Sequence, residues 1–380
     1  MKFCKFSGFL ALLLIAQPAA GAEFASVAAL GKALFFDVNL SKNRTQACAT
    51  CHDPEAAFTD PRETEVGRAV SLGDDGTSLG DRNTPTAAYA RFAPVFHRTD
   101  KGVYVGGQFL DGREKDLAGQ AGGPPLNPIE MGMADKAAVA ARLRENPDYV
   151  AAFRAFHGAE IFDDDDKAYA AMAKSIAAFE LTDSFASFDS KYDRFLRGEE
   201  KLTDQEELGR LLFFSQQFTN CNLCHQLRTS QTAKDETFSN YQYHNIGVPV
   251  NTEARRVNGV KPGHVDHGLL GNPAVADAAQ DGKFKVPTLR NVAVTGPYMH
   301  NGVFKDLRTT ILFYNKYNSK AEARQINPET GKRWRAPEVP ATLSVKELTH
   351  GPALDDARID ALVAFLKTLT DRRYEPLLKE

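Results

Sequence analysis

Cysteine is nearly absent outside two short motifs. The 380-residue chain holds five cysteines. One is Cys4 near the N-terminus, and the others are Cys48, Cys51, Cys221 and Cys224. None is left over for a structural disulfide. Tryptophan occurs once, as Trp334. No stretch is apolar enough to span a bilayer comfortably, since the longest such run, residues 9–16, is too short. No excess of one charge exists either. The formal net charge is -3 and the pI is about 6.3, which argues against a strongly basic nucleic-acid-binding face. With 43% hydrophobic and 25% charged residues the composition is globular and not disordered.

What is present begins with a signal peptide. Lys2 and Lys5 precede the apolar run, and Ala20, Gly21 and Ala22 form a small-residue cleavage site. Residues 1–22 are therefore expected to direct export to the periplasm and to leave no membrane anchor. The remaining length exceeds what one hydrophobic core usually serves, so two domains are expected.

Each remaining cysteine pair is followed by histidine, as Cys48-Ala49-Thr50-Cys51-His52 and Cys221-Asn222-Leu223-Cys224-His225. This is the c-type haem attachment pattern, in which two thiols bind the haem vinyl groups and the histidine reaches iron. Two covalently bound haems are expected, with His52 and His225 as proximal ligands.

The chain repeats itself around these motifs. Leu30-Gly31-Lys32-Ala33-Leu34-Phe35-Phe36 matches Leu208-Gly209-Arg210-Leu211-Leu212-Phe213-Phe214. Residues 111–117 match residues 301–307, and Pro85-Thr86 matches Pro287-Thr288. Each half ends in an apolar-patterned helix, one containing Ile176, Phe179 and Leu181 and the other Ile359, Leu362, Val363, Leu366 and Leu369. Four matches in one order indicate duplication. The expected fold is mainly α: two tandem cytochrome c-like haem domains with long loops, at 23–195 and 196–380. Thr203-Asp204-Gln205-Glu206 reads as a capping box. Residues 163–166 precede a further helix, as favourable N-terminal charges or as a plain solvated loop.

The second axial position decides function, because a sixth protein ligand gives an electron-transfer haem and an empty face a reactive one. Seven residues beyond the matched Leu117 and Leu307 stand Pro124 and Tyr314. Proline offers no ligand, so the first haem is expected to be open there. Tyr314 reads either as a phenolate ligand or as a core aromatic of residues 309–314, and Met299 is a rival thioether ligand. Glu130, six residues past Pro124, reads either as a proton shuttle for peroxide or as a surface glutamate.

Together these residues resemble the bacterial dihaem cytochrome c peroxidases, and most closely the MauG branch of that family. The resemblance spans nearly the whole mature chain. It is carried by residues 48–54, 80–86, 243–247 and 291–302, and most strongly by Ile311-Leu312-Phe313-Tyr314-Asn315-Lys316-Tyr317, where ordinary family members have methionine at the Tyr314 position. The resemblance implies a five-coordinate haem on His52, a six-coordinate haem on His225 and Tyr314, and a peroxide pocket lined by Gln120, Pro124 and Glu130. It also implies calcium held by Asn83 and the carbonyls of Thr295 and Pro297, oxygen ligands that suit a hard cation. The implied activity is completion of the tryptophan tryptophylquinone (TTQ) cofactor in the methylamine dehydrogenase precursor (small subunit), driven by hydrogen peroxide or by oxygen plus electrons. A small cytochrome or cupredoxin would be the electron donor. Two tryptophans of the MauG pattern are missing, because Leu110 and Thr219 stand in their places. Two other functions stay open, a hydrogen peroxide-reducing dihaem peroxidase and a non-catalytic dihaem electron carrier.

Overall fold

The computed structural model describes Met1 and residues 24–378. Apart from Met1, the expected signal segment lies outside the described residues, as does the start of the first expected domain. The fold is mainly helical. Among the described residues strand is confined to three antiparallel pairs of two residues each: His97–Arg98 with Tyr104–Val105, Tyr243–His244 with Phe284–Lys285, and Ile326–Asn327 with Lys332–Arg333.

Each half is built on one crossing of two helices. In the first, Val27–Phe35 crosses Asp165–Glu180, and in the second Asp204–Phe213 crosses Asp356–Lys367. The capping box at Thr203 forms as the sequence indicates, with Glu206 N donating to Thr203 Oγ1 (3.3 Å) and Thr203 N to Glu206 Oε2 (2.7 Å). Asp164 caps the Asp165–Glu180 helix, and Asp165 and Asp166 lie in its first turn, where the positive end of the helix dipole favours them. The matched glycines are the crossing points. A Cβ on Gly31 would stand 1.7 Å from the Ser175 carbonyl oxygen, and one on Gly209 would stand 1.9 Å from that of Ala361. Only a residue without a side chain lets the backbones approach this closely.

Two main hydrophobic cores result. The first runs from Leu30 to Ala186 and centres on Phe35, Phe58, Phe153, Met172 and Phe185. The second runs from Tyr192 to Leu369 and centres on Phe213, Phe238 and Phe365. Phe188 packs against the first core and Tyr192 belongs to the second. The charged stretch 189–201 therefore includes a short helix, Lys191–Leu196, which already packs with the second core.

The repeat extends to individual bonds. Gln108 N donates to Glu114 O and Tyr298 N to Phe304 O, both at 2.6 Å. Phe109 and Met299 follow these donors with φ of 59° and 73°. At the seam the halves exchange bonds: Asn83 N donates to His300 O and Lys285 N to Leu110 O, both at 2.8 Å. Beneath the seam Arg290, 1% exposed, bonds both carboxylate oxygens of Asp193 (2.5 and 3.0 Å) and the carbonyl of Glu236 (2.8 Å). Its guanidinium lies 4.8–5.4 Å from the ring centroids of Phe188, Phe238 and Tyr89.

One helix assignment needs correction. Leu181 does not join the core stripe with Ile176 and Phe179. It is the C-cap of its helix and is 56% exposed. Thr182 Oγ1 bonds Phe179 O (2.7 Å) just as Thr368 Oγ1 bonds Phe365 O (2.6 Å). This register aligns Leu181 with Lys367 and puts Glu180, not leucine, opposite Leu366.

The crossing sets a stability test. Gly209→Ala is expected to destabilise the protein by about 2–3 kcal/mol, because the new methyl group meets rigid backbone. Gly271→Ala, where nothing lies within 4 Å, should be nearly neutral. Equal denaturation midpoints for the two variants would contradict the close-approach reading.

Candidate functional site

Each Cys-x-x-Cys segment forms one helical turn, Cys48–Cys51 and Cys221–Cys224. The next residue closes it, with His52 N donating to Cys48 O (2.9 Å) and His225 N to Cys221 O (2.8 Å). Two thiols and an imidazole are thereby brought onto one short element.

Both rings are oriented identically. His52 Nδ1 lies 3.1 Å from Phe58 O, and His225 Nδ1 lies 3.1 Å from Phe238 O. A carbonyl only accepts, so Nδ1 carries the proton and Nε2 is left as the basic nitrogen. A hydrogen bond of this kind fixes ring orientation in metal-ligating histidines. Burial lowers the pKa of both rings, that of His225 to about 4, and so keeps them neutral. The carbonyls are presented by left-handed backbone, φ 56° at Phe58 and 57° at Phe238. Each turn is pinned by the threonine of a Pro-Thr pair: Thr86 Oγ1 bonds Ala57 O (2.6 Å) and Thr288 Oγ1 bonds Thr237 O (2.7 Å). The Pro-Thr repeat is thus part of the histidine support.

A cavity of about 400 Å³ opens beside the second motif, and Cys221, Cys224, His225 and Tyr314 all line it. Its apolar wall includes Leu289, Val292, Leu307, Ile311, Leu362 and Leu366. Tyr314 lies on the Leu307–Asn315 helix and keeps 36% of its surface accessible, so it is not a packed core aromatic. Desolvation by the surrounding cavity wall pushes its phenol well above the ordinary range. A phenolate here needs an adjacent cation. Met299 lines the same cavity, as do Asn83, Thr295, Pro297, Leu110 and Thr219. Among the described residues no group of three or more His, Cys, Asp or Glu side chains could hold a metal ion. An amide and two carbonyls are a donor set of a different kind.

Around the first motif, Gln120 lies near the end of the short Leu117–Ala121 helix, and the chain then folds back on itself. Pro124 O accepts from Asn127 N (3.1 Å) and Met131 N (3.2 Å), which brings Glu130 beside Pro124. Burial raises the Glu130 carboxyl pKa, with Arg113 and Asn127 opposing. Its charge is felt by both Cys48 and Cys51, so it faces the first motif and is not a surface glutamate.

Glu180 is a residue that sequence pattern missed. It is 6% exposed, its Oε2 has no hydrogen-bond partner, and burial raises its pKa to about 8. Its charge also acts on Cys48. The corresponding Leu366 lines the cavity beside the second motif. The one available signal was the helix register, which the Thr182–Thr368 match fixes.

The family model for the di-haem cytochrome c peroxidases matches residues 25–201. The chain is 59% identical over 377 residues to the methylamine utilization protein MauG of Paracoccus denitrificans, covering 98% of this chain and 97% of that one. The chain belongs to the dihaem cytochrome c peroxidase family. A cytochrome c551 peroxidase of Pseudomonas aeruginosa is 33% identical, over 74% of this chain and 69% of the relative. Among solved structures, the diheme peroxidase BthA of Burkholderia thailandensis superposes with a TM-score of 0.82 at 32% identity, covering 94% of this chain and 89% of that one. The protein is a haem-dependent, peroxidase-like oxidoreductase. The paired histidine geometry fits the two haems of this family, and the cavity lies beside the second motif.

Glu180 gives a pH test. Its folded pKa, about 8, lies above the 4.5 of an ordinary glutamate. Between these values the folded state holds a proton that the unfolded state has lost, so this group makes stability fall as pH rises through that window. Glu180→Leu, the residue of the other half, should remove the fall and gain about 2 kcal/mol or more near pH 8. Parallel denaturation curves at about pH 5 and about pH 8.5, with an unchanged difference in the variant, would exclude this.

Proposed function

We propose that this protein completes TTQ in the small subunit of the methylamine dehydrogenase precursor, using hydrogen peroxide, or oxygen plus electrons. The observation that carries the reading is Tyr314, which shares a cavity with His225 and stands where the other half has Pro124. The 59% identity to a protein named for methylamine utilization supports it.

In this reading the chain has two tandem cytochrome c-like domains, 23–195 and 196–380. Thioethers at Cys48 and Cys51, and at Cys221 and Cys224, attach one haem to each. When bound, the haems supply the redox chemistry, one reacting with peroxide and the pair accepting oxidising equivalents. His52 would hold the first, with Pro124 near the peroxide pocket and offering no ligand of its own, and His225 and Tyr314 would hold the second. Phenolate is an anionic donor and favours higher charge on iron, whereas the methionine of ordinary family members raises the potential. Tyr314 thus suits a haem that retains an oxidising equivalent.

Glu130 is the acid–base group of the peroxide pocket. Its raised pKa makes its carboxylate a stronger base than an ordinary one, so it can take a proton from the near oxygen and return that proton to the leaving oxygen. Gln120 and Pro124 line the same pocket. Reducing peroxide to two waters consumes two electrons and two protons, and oxidation of the tryptophan substrate supplies both. Asn83 with the Thr295 and Pro297 carbonyls holds a calcium ion. The N-terminal segment directs the chain to the periplasm, where a small cytochrome or cupredoxin supplies electrons for the oxygen route. Among the described residues no helix is long and apolar enough to cross a membrane.

A second reading, a peroxidase that only reduces hydrogen peroxide, is favoured by Leu110 and Thr219. Both line the cavity at positions where MauG-type chains carry oxidisable indoles, and neither side chain can be oxidised as a relay.

Two variants test the proposal. Glu130→Gln is expected to load both haems but to react with peroxide about a hundredfold more slowly in rapid mixing. An unchanged rate would remove Glu130 from the chemistry. Tyr314→His should keep the second haem low-spin while cutting the yield of cross-linked methylamine dehydrogenase by about tenfold or more. The peroxide-oxidised state should also decay faster. Wild-type lifetime and yield in that variant would remove Tyr314 as the electronic control, and a wild type that forms no cross-linked product would leave the peroxide-reducing reading in place.

A further inference from the structure

One half-buried cation on the cavity wall has no carboxylate of its own. Lys285 ends the Phe284–Lys285 strand, and its side chain lines the cavity that also contains Cys221, Cys224 and His225. Its Nζ donates to the backbone carbonyl of Gly107. Among the described residues no acidic side chain forms an ion pair with it. The only acidic group that acts on it appreciably is Asp111, and that carboxylate is held by Arg82 (2.7 Å) and Arg113 (3.0 Å). Asp266, also on the cavity wall, is taken by Arg82 through two 2.7 Å bonds. Glu347 acts on Lys283 and His244 but not on Lys285. Burial lowers the pKa of Lys285 to about 8, as expected for an ammonium lacking an anion. Buried charges persist when something pairs with them.

The repeat isolates what is special about this wall. Lys285 corresponds to Asn83 and His300 to Leu110, since these pairs exchange the two seam bonds. The second half thus has a cation and an imidazole where the first has an amide and an alkyl group. His300 is stacked on Phe284 at 3.7 Å, and its Nε2 is buried without a partner.

A haem carries two carboxylates, on the edge opposite the vinyl groups. With the vinyl edge fixed at Cys221 and Cys224, those carboxylates face the far side of the cavity. We propose that Lys285 is the anchor for a propionate of the haem held at Cys221–Cys224, with His300 Nε2 as the adjoining donor. The pairing rests on the two-haem reading and not on the identity of the oxidised partner. A fixed positive charge there favours the reduced haem and so offsets part of the effect of the Tyr314 phenolate on the same iron.

The test uses haem-loaded wild type, Lys285→Met and Lys285→Arg. Haem content is read from the pyridine haemochrome, and potentials from a spectroscopically monitored redox titration. Propionate bonding is read from the propionate-bending bands in resonance Raman spectra. Lys285→Met is expected to lower the potential of the low-spin haem, leave the high-spin haem where it is and shift a propionate band. Lys285→Arg should shift that band while keeping the potential near that of wild type. The proposal is overturned if fully loaded Lys285→Met has the wild-type potential and bands, or if both haems shift equally. If Lys285→Met does not accumulate with two haems, Lys285→Arg decides alone: a shifted band supports the pairing and an unshifted band removes it. Fewer than two haems in wild type would count against the two-haem reading instead.

Discussion

The hydrogen bond from each motif histidine to a phenylalanine carbonyl is the constraint around which the molecule is arranged. For Nδ1 to donate, a carbonyl must sit 3.1 Å away on a turn of left-handed backbone. That turn must be fixed, and the Pro-Thr threonine fixes it from a distant segment in both halves. In the second half Arg290 adds a further tie through Glu236 O, two residues before Phe238. The same guanidinium lies against Tyr89 and Phe188 of the first half. The orientation of one imidazole therefore depends on packing that involves both cores. Severing Arg290 from Asp193 would leave a buried charge uncompensated, which is typically costlier than the pair is stabilising.

Symmetry of support coexists with asymmetry of chemistry. The helix crossing, histidine turn and seam bonds are shared between halves. The side chains at other corresponding positions are not: Pro124 against Tyr314, Glu180 against Leu366, Asn83 against Lys285. Each substitution changes charge or ligand capacity while the backbone around it is conserved between the repeats. That division is what a dihaem oxidoreductase needs if one centre is to meet peroxide and the other is to be closed.

Much of this was legible in the sequence because the constraints are local or repeated. The Cys-x-x-Cys-His spacing fits one helical turn, and Gly31 and Gly209 stand out by their shared context. Tyr314 was singled out by counting seven residues beyond a matched leucine, and it lines the cavity that His225 also lines. What was not legible involves partners far apart in the chain. The Asp193–Arg290 pair joins residues 97 positions apart, and nothing in either neighbourhood announces it. Glu180 was hidden because apolar periodicity skips a lone carboxyl, and the same oversight placed exposed Leu181 in the core. Lys285 is one lysine among many until the absence of a nearby free carboxylate becomes visible.

The seam has an evolutionary corollary. Corresponding residues exchanging corresponding bonds, Asn83 with His300 and Lys285 with Leu110, is the pattern of an isologous contact between two identical subunits. A fused ancestral homodimer would carry this contact inside one polypeptide. Because the exchanged bonds are main-chain to main-chain, they place no demand on the side chains at those four positions. Fusion freed each copy to acquire its own ligands and charges, a divergence that strict two-fold symmetry forbids to identical subunits.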